Sequence, residues 1–336
     1  KGEFAVFAGL DEVLRFVMNF GFSDEDIQYL KRELPDCTPD FWGWLRGLDC
    51  QDLTLSAPYE GTIMFPRVPL AIVEAPLAIA QVLETTLLNL INFPTLITTQ
   101  AARFRLLAGP SMNLLEFGAR RAQGPDGAIS AARYAYLGGF DATSIPLAGK
   151  LFGIPIRGTN AHSFITSFSH EDLETQALTE IGKLATMFRH MLGFMNTNDG
   201  ELASFIAYAT AFPTKFLTLV DTYNTLRSGV PNAICVSLAL VCLGYIPKGI
   251  RLDSGDLAYL SKEARKMFIA NFTNDQVIAA AKKTNEYMLG LANSMNIVAS
   301  NDINEESLAA IIDQGHELNT LGIGTHMVTC QAQPAL

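Results

Sequence analysis

Charge is scarce in this chain. Only 17% of its 336 residues are Asp, Glu, Lys or Arg, against about 25% in an average soluble domain. With hydrophobic residues at 49%, that scarcity excludes an intrinsically disordered chain and demands a large buried core. Basic residues are the rarer sign: 24 Lys and Arg stand against 34 Asp and Glu, a formal net charge of −10. An acidic total offers no general attraction to nucleic acid or an anionic membrane, so neither is expected as a partner, although a local basic pocket can still hold a small anion. Cysteine is sparse too. Cys37, Cys50, Cys235, Cys242 and Cys330 include no C-x-x-C pair, which argues against a zinc site, and an odd, scattered set predicts reduced thiols in the cytoplasm. Long apolar runs are missing: the longest, residues 233–247, carries Ser237 and is shorter than the roughly 20 residues of a membrane span. Neither a signal peptide nor a basic amphipathic presequence is visible at the start. The chain opens on Lys1 and stops at Leu336 just after a strand-like segment, and it is expected to be a piece of something longer.

Proline and glycine divide what is present. Residues 10–17 carry a helical apolar stripe. Ser23 followed by Asp26 predicts a capped helix start near the positive end of the helix dipole. Thr38-Pro39 predicts another, with Pro39 at the first helical position. Thr54, Ser56, Thr62, Met64, Val68 and Ile72 then lie in short runs broken by Pro and Gly, which predicts a small antiparallel β section. Residues 77–107 read as two helices hinged near Pro94. After Gly109-Pro110, strand-like runs at 114–118, 140–143, 156–160, 216–221, 249–253, 296–300 and 320–324 alternate with helical windows such as 126–137, 200–212, 231–243 and 304–314. Repeated strand–helix units imply a parallel sheet with right-handed crossovers. About seven of them favour an irregular parallel β/α barrel over an open doubly wound sheet, which remains the alternative. The expected fold class is therefore α/β. Residues 1–110 are expected to form part of a smaller α+β domain with linking helices, and residues 111–336 the barrel that carries the active site.

In such barrels the active site lies at the C-terminal ends of the strands, and here those ends are polar. They carry Glu116-Phe117-Gly118 with Arg120-Arg121 close behind, Asp141-Ala142-Thr143-Ser144, Thr159-Asn160-Ala161-His162, Asp221-Thr222-Tyr223, Arg251-Leu252-Asp253, Ser300-Asn301-Asp302 and Gly322-Ile323-Gly324-Thr325. Arg251 and Asp253 are two apart on a strand and share one face. They read equally as a structural ion pair or as a cation and a carboxylate facing a substrate with an anionic group and hydroxyls. Gly322-x-Gly324-Thr325 fits a phosphate nest, whose backbone N–H groups converge on an anion, or merely a tight turn. Strand alternation would place Asn160 on the face of His162, where a histidine can serve as nucleophile or acid–base.

These strings carry a resemblance. Residues 120–127 (RRAQGPDG), 138–144 (GGFDATS), 158–164 (GTNAHSF), Asp221-Thr222-Tyr223, 251–256 (RLDSGD) and 322–325 (GIGT) come in the order found in the nicotinate phosphoribosyltransferase family of the animal type, and the similarity runs from about Phe4 to Leu336. The resemblance implies an enzyme that joins nicotinate to phosphoribosyl pyrophosphate, releases pyrophosphate, and couples this to ATP hydrolysis through a phosphohistidine with Mg²⁺ or Mn²⁺. It implies that His162 accepts the phosphoryl group, that Asp253 lies near the ribose and the metal, and that Arg251 faces the substrates. By the same token Phe117 stacks on the pyridine ring, Arg120 and Arg121 favour the acid, and Asp141 lines the pocket. Thr159, Asp221 and Asn301 are further strand-end contacts, and Gly322, Gly324 and Thr325 form the phosphate loop. The family also implies a homodimer with shared active sites. Ser144-Ile145-Pro146-Leu147 departs from the family's usual Ser-Asn-Val-Leu, and Pro146 requires a helix start there. Nicotinamide- and quinolinate-using relatives share the architecture, and a non-catalytic relative that only binds ligands or partners is the alternative from another class.

Overall fold

The computed structural model describes residues 3–329, so the expectation for Cys330 falls outside the described residues. Near the amino end, β1 (Ala5–Val6) pairs antiparallel with β3 (Ile63–Met64), and β2 (Thr54–Ser56) with β4 (Ile72–Glu74). The small antiparallel section is thus two short pairs, one of which recruits the N-terminal segment. The helix Asp24–Glu33 starts at Ser23 with the full capping box, Asp26 answering the Ser23 side chain. The helix Pro39–Arg46 has its proline in the first turn. Phe7, Val13, Ile27, Trp42, Leu45, Leu83, Leu87 and Ile91 fill one apolar cluster of this region.

The expected hinge at Pro94 does not occur. A single helix, Leu77–Ala108, runs through it for 32 residues. Pro94 removes the N–H that would bond the Leu90 carbonyl, and the N-terminal segment fills the defect. Gly9 presses so close that a Cβ there would lie 2.1 Å from the Leu90 carbonyl oxygen. The Thr95 hydroxyl donates to the Ala8 carbonyl and accepts from the Ala8 N–H, each at 3.2 Å, and Thr99 Oγ1 accepts the Val6 N–H at 2.9 Å. The one helix feeds two cores: Leu83, Leu87 and Ile91 enter the first, and Ile97, Ala101 and Phe104 the second.

The second core surrounds a parallel sheet. Among the described residues its strands are β5 (Asn113–Glu116), β6 (Ala142–Thr143), β7 (Leu217–Leu219), β8 (Gly249–Leu252), β9 (Asn296–Ser300) and β10 (Thr320–Ile323), in the order β6-β5-β10-β9-β8-β7. All their pairings are parallel, as repeated strand–helix units require. The expected strand at 156–160 shrinks to one bridge, Thr143 with Ile156. Pro155 lacks an N–H and Gly158 follows two residues after the bridge, so the ladder is not extended there.

Helices cover the sheet. The π turn Thr225–Gly229 continues into the helix Val230–Cys242, which is buried at every residue from Val230 to Val241. Burying a Val, Leu or Ile side chain stabilises by roughly 1.5–3 kcal/mol, so burial rather than β-branched helix propensity holds this segment helical. By length and composition Leu77–Ala108 and Thr225–Cys242 could each cross a membrane; the second is mostly packed inside the protein, as a core helix is. Pro146 opens the helix Pro146–Phe152 at its first position, where its missing N–H costs nothing.

Candidate active site

The C-terminal ends of β5, β8, β9 and β10 open onto one cavity of about 420 Å³. Phe117, Arg120, Arg121, Thr159, His162, Arg251, Asp253, Asn301, Gly322, Gly324 and Thr325 all line it. Eleven of the thirteen residues singled out by sequence therefore converge, and the two exceptions are instructive.

Arg251 and Asp253 do share a face: Nη2 lies 3.3 Å from Asp253 Oδ2. Neither reading of the pair excludes the other, because the ion pair itself faces the cavity. Every nitrogen of Arg251 is engaged. Nε donates to Ser300 Oγ at 3.0 Å and Nη1 to Thr159 Oγ1 at 2.6 Å, while Ser300 Oγ in turn donates to Asp253 Oδ1. Its guanidinium also lies 5.8 Å from the centre of the Phe117 ring, within cation–π range. Ser300, named in the sequence only as part of a polar strand end, is the residue whose role the sequence did not show. Register explains it: Leu252 pairs with Ala299, which brings the next residues, Asp253 and Ser300, side by side. Register across a parallel sheet is not written in either strand alone.

His162 opens the short helix His162–Thr166 rather than ending a strand. Strand alternation therefore does not apply, although both residues line the cavity and both side chains bond the segment running from β7 to Asp221. Asn160 is buried against β7, while His162 is half exposed at the cavity wall. His162 Nε2 lies 3.2 Å from Asp221 Oδ1. A carboxylate can only accept, so Nε2 is the donor, and in the neutral ring Nδ1 then holds the lone pair. That Nδ1 lies 4.0 Å from Asp253 Oδ2. Asp221 is the first exception: its side chain is only 1% exposed and sits behind the histidine instead of lining the cavity. Its other oxygen accepts from the Ser254 hydroxyl and the Asp253 N–H.

Asp141 is the second exception and a correction. It precedes β6 rather than ending it. Oδ2 accepts the Leu114 N–H at 2.7 Å and pairs with Arg105 Nη2 at 2.6 Å. Leu114 is near the start of β5, so the carboxylate staples the N-terminal end of the sheet, opposite the cavity. Gly322 is corrected as well. It lies inside β10, in register with Leu115 on one side and Ser300 on the other, so it is part of the ladder and not of a turn. Its missing side chain makes room for Phe117. Gly324 and Thr325 do form the turn after β10, where the Gly324 carbonyl accepts the Met327 N–H at 3.0 Å as the helix Thr325–Thr329 begins.

Arg120 and Arg121 lie in the 3₁₀ turn Ala119–Arg121, both exposed at the mouth, and their side chains form no ion pair among the described residues. Free guanidiniums beside a cavity suit an anion, which they can bind through two parallel N–H groups. Asn301 and Asp302 take left-handed backbone angles, φ 95° and φ 46°. Non-glycine residues hold such angles at a cost of about 1–3 kcal/mol, and here they turn the chain sharply at the cavity edge. Beneath Phe117, the buried Glu116 carboxyl accepts from the Gly118 N–H and from Thr143 Oγ1; burial pushes its pKa up. Among the described residues no group of three or more His, Cys, Asp and Glu side chains is arranged to cage a metal.

A family model described as the nicotinate phosphoribosyltransferase N-terminal domain matches residues 1–92. The nicotinate phosphoribosyltransferase of Caenorhabditis elegans is 49% identical over all of this chain and 61% of its own length. The human one is 45% identical over all of this chain and 63% of its own length. The chain belongs to the nicotinate phosphoribosyltransferase family. A crystal structure of human nicotinic acid phosphoribosyltransferase superposes with a TM-score of 0.82 at 43% identity, covering 96% of this chain and 66% of that one. A nicotinate-nucleotide pyrophosphorylase from Pyrococcus furiosus, 18% identical with a TM-score of 0.55, shares the fold. The chain spans about three fifths of the length of the curated nicotinate phosphoribosyltransferases named here.

Proposed function

We propose that this protein forms nicotinate mononucleotide and pyrophosphate from nicotinate and phosphoribosyl pyrophosphate, driven by ATP through phosphorylation of His162. One observation supports this above the others: a histidine with one ring nitrogen fixed by a buried aspartate shares a cavity with Asp253, Arg251 and two free arginines.

In the transfer step a bond forms between the pyridine nitrogen and the anomeric carbon while the bond to pyrophosphate breaks. Positive charge builds on the ribose, and the Asp253 carboxylate stabilises it. Ser300 and Arg251 fix both oxygens of Asp253, so little reorganisation is needed as the charge appears. Arg120 and Arg121 bind anions at the mouth, which separates nicotinate from uncharged nicotinamide. Phe117 offers its ring to the pyridine. Gly324 and Thr325 supply backbone N–H and hydroxyl groups to a phosphate, and Thr159 orients Arg251. His162 Nδ1, with its lone pair directed away from Asp221, is the phosphoryl acceptor. Phosphorylation there would place negative charge beside the pyrophosphate and favour its departure.

Mg²⁺ or Mn²⁺ fits these residues. Mg²⁺ commonly takes one or two protein carboxylates and completes its shell with water and substrate phosphates, so Asp253 at the cavity wall suffices without a protein cage. Bound there, the metal would neutralise charge on the leaving pyrophosphate. On the same reading the protein is a cytoplasmic homodimer whose subunits share active sites, with no nucleic-acid or membrane partner.

The test is mass-spectrometric detection of nicotinate mononucleotide from nicotinate and phosphoribosyl pyrophosphate, with and without ATP. Product that rises with ATP supports the reading. Absence of product in both would favour a ligand-binding relative without catalysis.

A further inference from the structure

We propose that Asn160 is a positioning residue that closes the barrel with its side chain and thereby sets the contact between His162 and Asp221. The inference rests on the reading of His162 above.

The sheet has two ends. One is β6, extended by the single bridge from Thr143 to Ile156. The other is β7. Among the described residues no backbone ladder joins residues 156–161 to β7. A closed barrel needs hydrogen bonds across that seam, and an open edge would leave buried backbone groups unpaired. Asn160 supplies them. Its Oδ1 accepts the Leu219 N–H at 3.1 Å, and its Nδ2 donates to Thr218 Oγ1 at 3.1 Å. Thr218 and Leu219 are wholly buried and Asn160 is 9% exposed. The carboxamide oxygen takes the place of a backbone carbonyl for the Leu219 N–H, while the Thr218 hydroxyl holds its NH₂.

The consequence falls on the site. His162 follows Asn160 by two residues, and Asp221 follows Leu219 by two. The rung at Asn160–Leu219 is therefore the link just before the pair at His162–Asp221, and apart from these and the Asn160–Thr218 side-chain bond the two segments share no direct hydrogen bond in the described residues. The backbone carbonyl of Asn160 also receives Arg251 Nη1 at 3.5 Å, next to the 2.6 Å bond from that nitrogen to Thr159. One buried side chain thus holds the segment carrying the histidine at a fixed distance from the strand carrying its partner. A displacement of about 1 Å at a reacting group costs about 10²-fold in rate.

The experiment compares Asn160→Leu, which fills the space and makes no hydrogen bond, with Asn160→Asp, which keeps an acceptor for the Leu219 N–H. ¹⁵N NMR of the His162 ring in the 336-residue protein reports its tautomer, independently of activity. Wild type should show one tautomer, protonated at Nε2. Asn160→Leu should show a mixture and lose about 10²-fold in ATP-dependent phosphohistidine formation, whereas Asn160→Asp should keep the Nε2 tautomer. A folded Asn160→Leu protein with the wild-type tautomer overturns the proposal, whatever its thermal stability. If Asn160→Leu does not fold, Asn160→Ala, which loses the bonds to both Leu219 and Thr218 without adding bulk, takes its place; a mixed tautomer there supports the seam and a wild-type tautomer overturns it. Failure of wild type to form phosphohistidine would count against the proposed function, while the tautomer measurement would still decide the role of Asn160.

Discussion

Gly322 lies directly beneath the ring of Phe117: a Cβ at position 322 would sit 2.5 Å from Cδ2 and 2.7 Å from Cε2. The ring is held between the β10 backbone and the Arg251 guanidinium, so it has little room to yield. Gly322→Ala should push the ring into the cavity. The expected result is a rise of about tenfold in the nicotinate KM, equivalent to about 1.4 kcal/mol, with an overpacking cost of about 1–3 kcal/mol in stability. Steady-state kinetics and a thermal melt on the same sample check both parts. An unchanged KM would show that the ring does not meet the pyridine.

Asp141 should behave as a structural residue. Asp141→Asn weakens the contacts to Arg105 and the Leu114 N–H at the N-terminal end of the sheet. The pair is partly exposed, so the loss should be about 1 kcal/mol, read by urea unfolding. Nicotinate and phosphoribosyl pyrophosphate KM values should stay within about twofold of wild type, less than 0.5 kcal/mol.

Glu201 gives a pH dependence. It is fully buried; Oε2 accepts from Ser228 Oγ and from Asn232 Nδ2, while Oε1 has no partner among the described residues. Burial is the main cause that lifts its pKa from 4.5 to about 7, against the two hydrogen bonds, with the Asp221 charge adding to the rise. The folded state thus favours the protonated acid. Its contribution is full below about pH 4.5 and is lost as pH rises through about 7. Glu201→Gln removes that dependence. Relative to wild type, the variant should gain on the order of 3 kcal/mol between pH 4.5 and pH 8 to 9. Chemical denaturation at several pH values measures the difference. A constant difference across that range would contradict the assignment.

Gly9→Ala tests the repair of the Pro94 defect. The added methyl would meet the Leu90 carbonyl oxygen at 2.1 Å, on a backbone already at φ 101°. The expected loss is about 2–4 kcal/mol, visible as a lower Tm. Amide exchange should rise at Val6 and Ala8, whose N–H groups bond to Thr99 and Thr95.

Much of this molecule is legible in its residues. The capping box at Ser23–Asp26, the proline-led helices at Pro39 and Pro146, and the strand β9 at 296–300 follow from local chemistry. So does the convergence of polar strand ends, because a parallel β/α sheet carries its C-terminal ends to one side. What sequence does not show depends on distant partners. Pro94 reads as a break until Gly9 and Thr95 supply a neighbour for its turn. Asp141 reads as a strand end until β6 proves to start after it. Ser300 and Asn160 join the site only through register and through a gap in the sheet, and neither property is local to the strand that bears it.

The most direct measurement uses ATP labelled at the γ-phosphate, Mg²⁺, and the protein with its His162→Ala and Asp221→Asn variants. Acid-labile label should appear on His162 in wild type, as located by mass spectrometry. It should be absent in His162→Ala and reduced by about 10–100-fold in Asp221→Asn, with the ATP-dependent gain in nicotinate mononucleotide lost in parallel. Label or ATP stimulation surviving intact in His162→Ala would contradict the account.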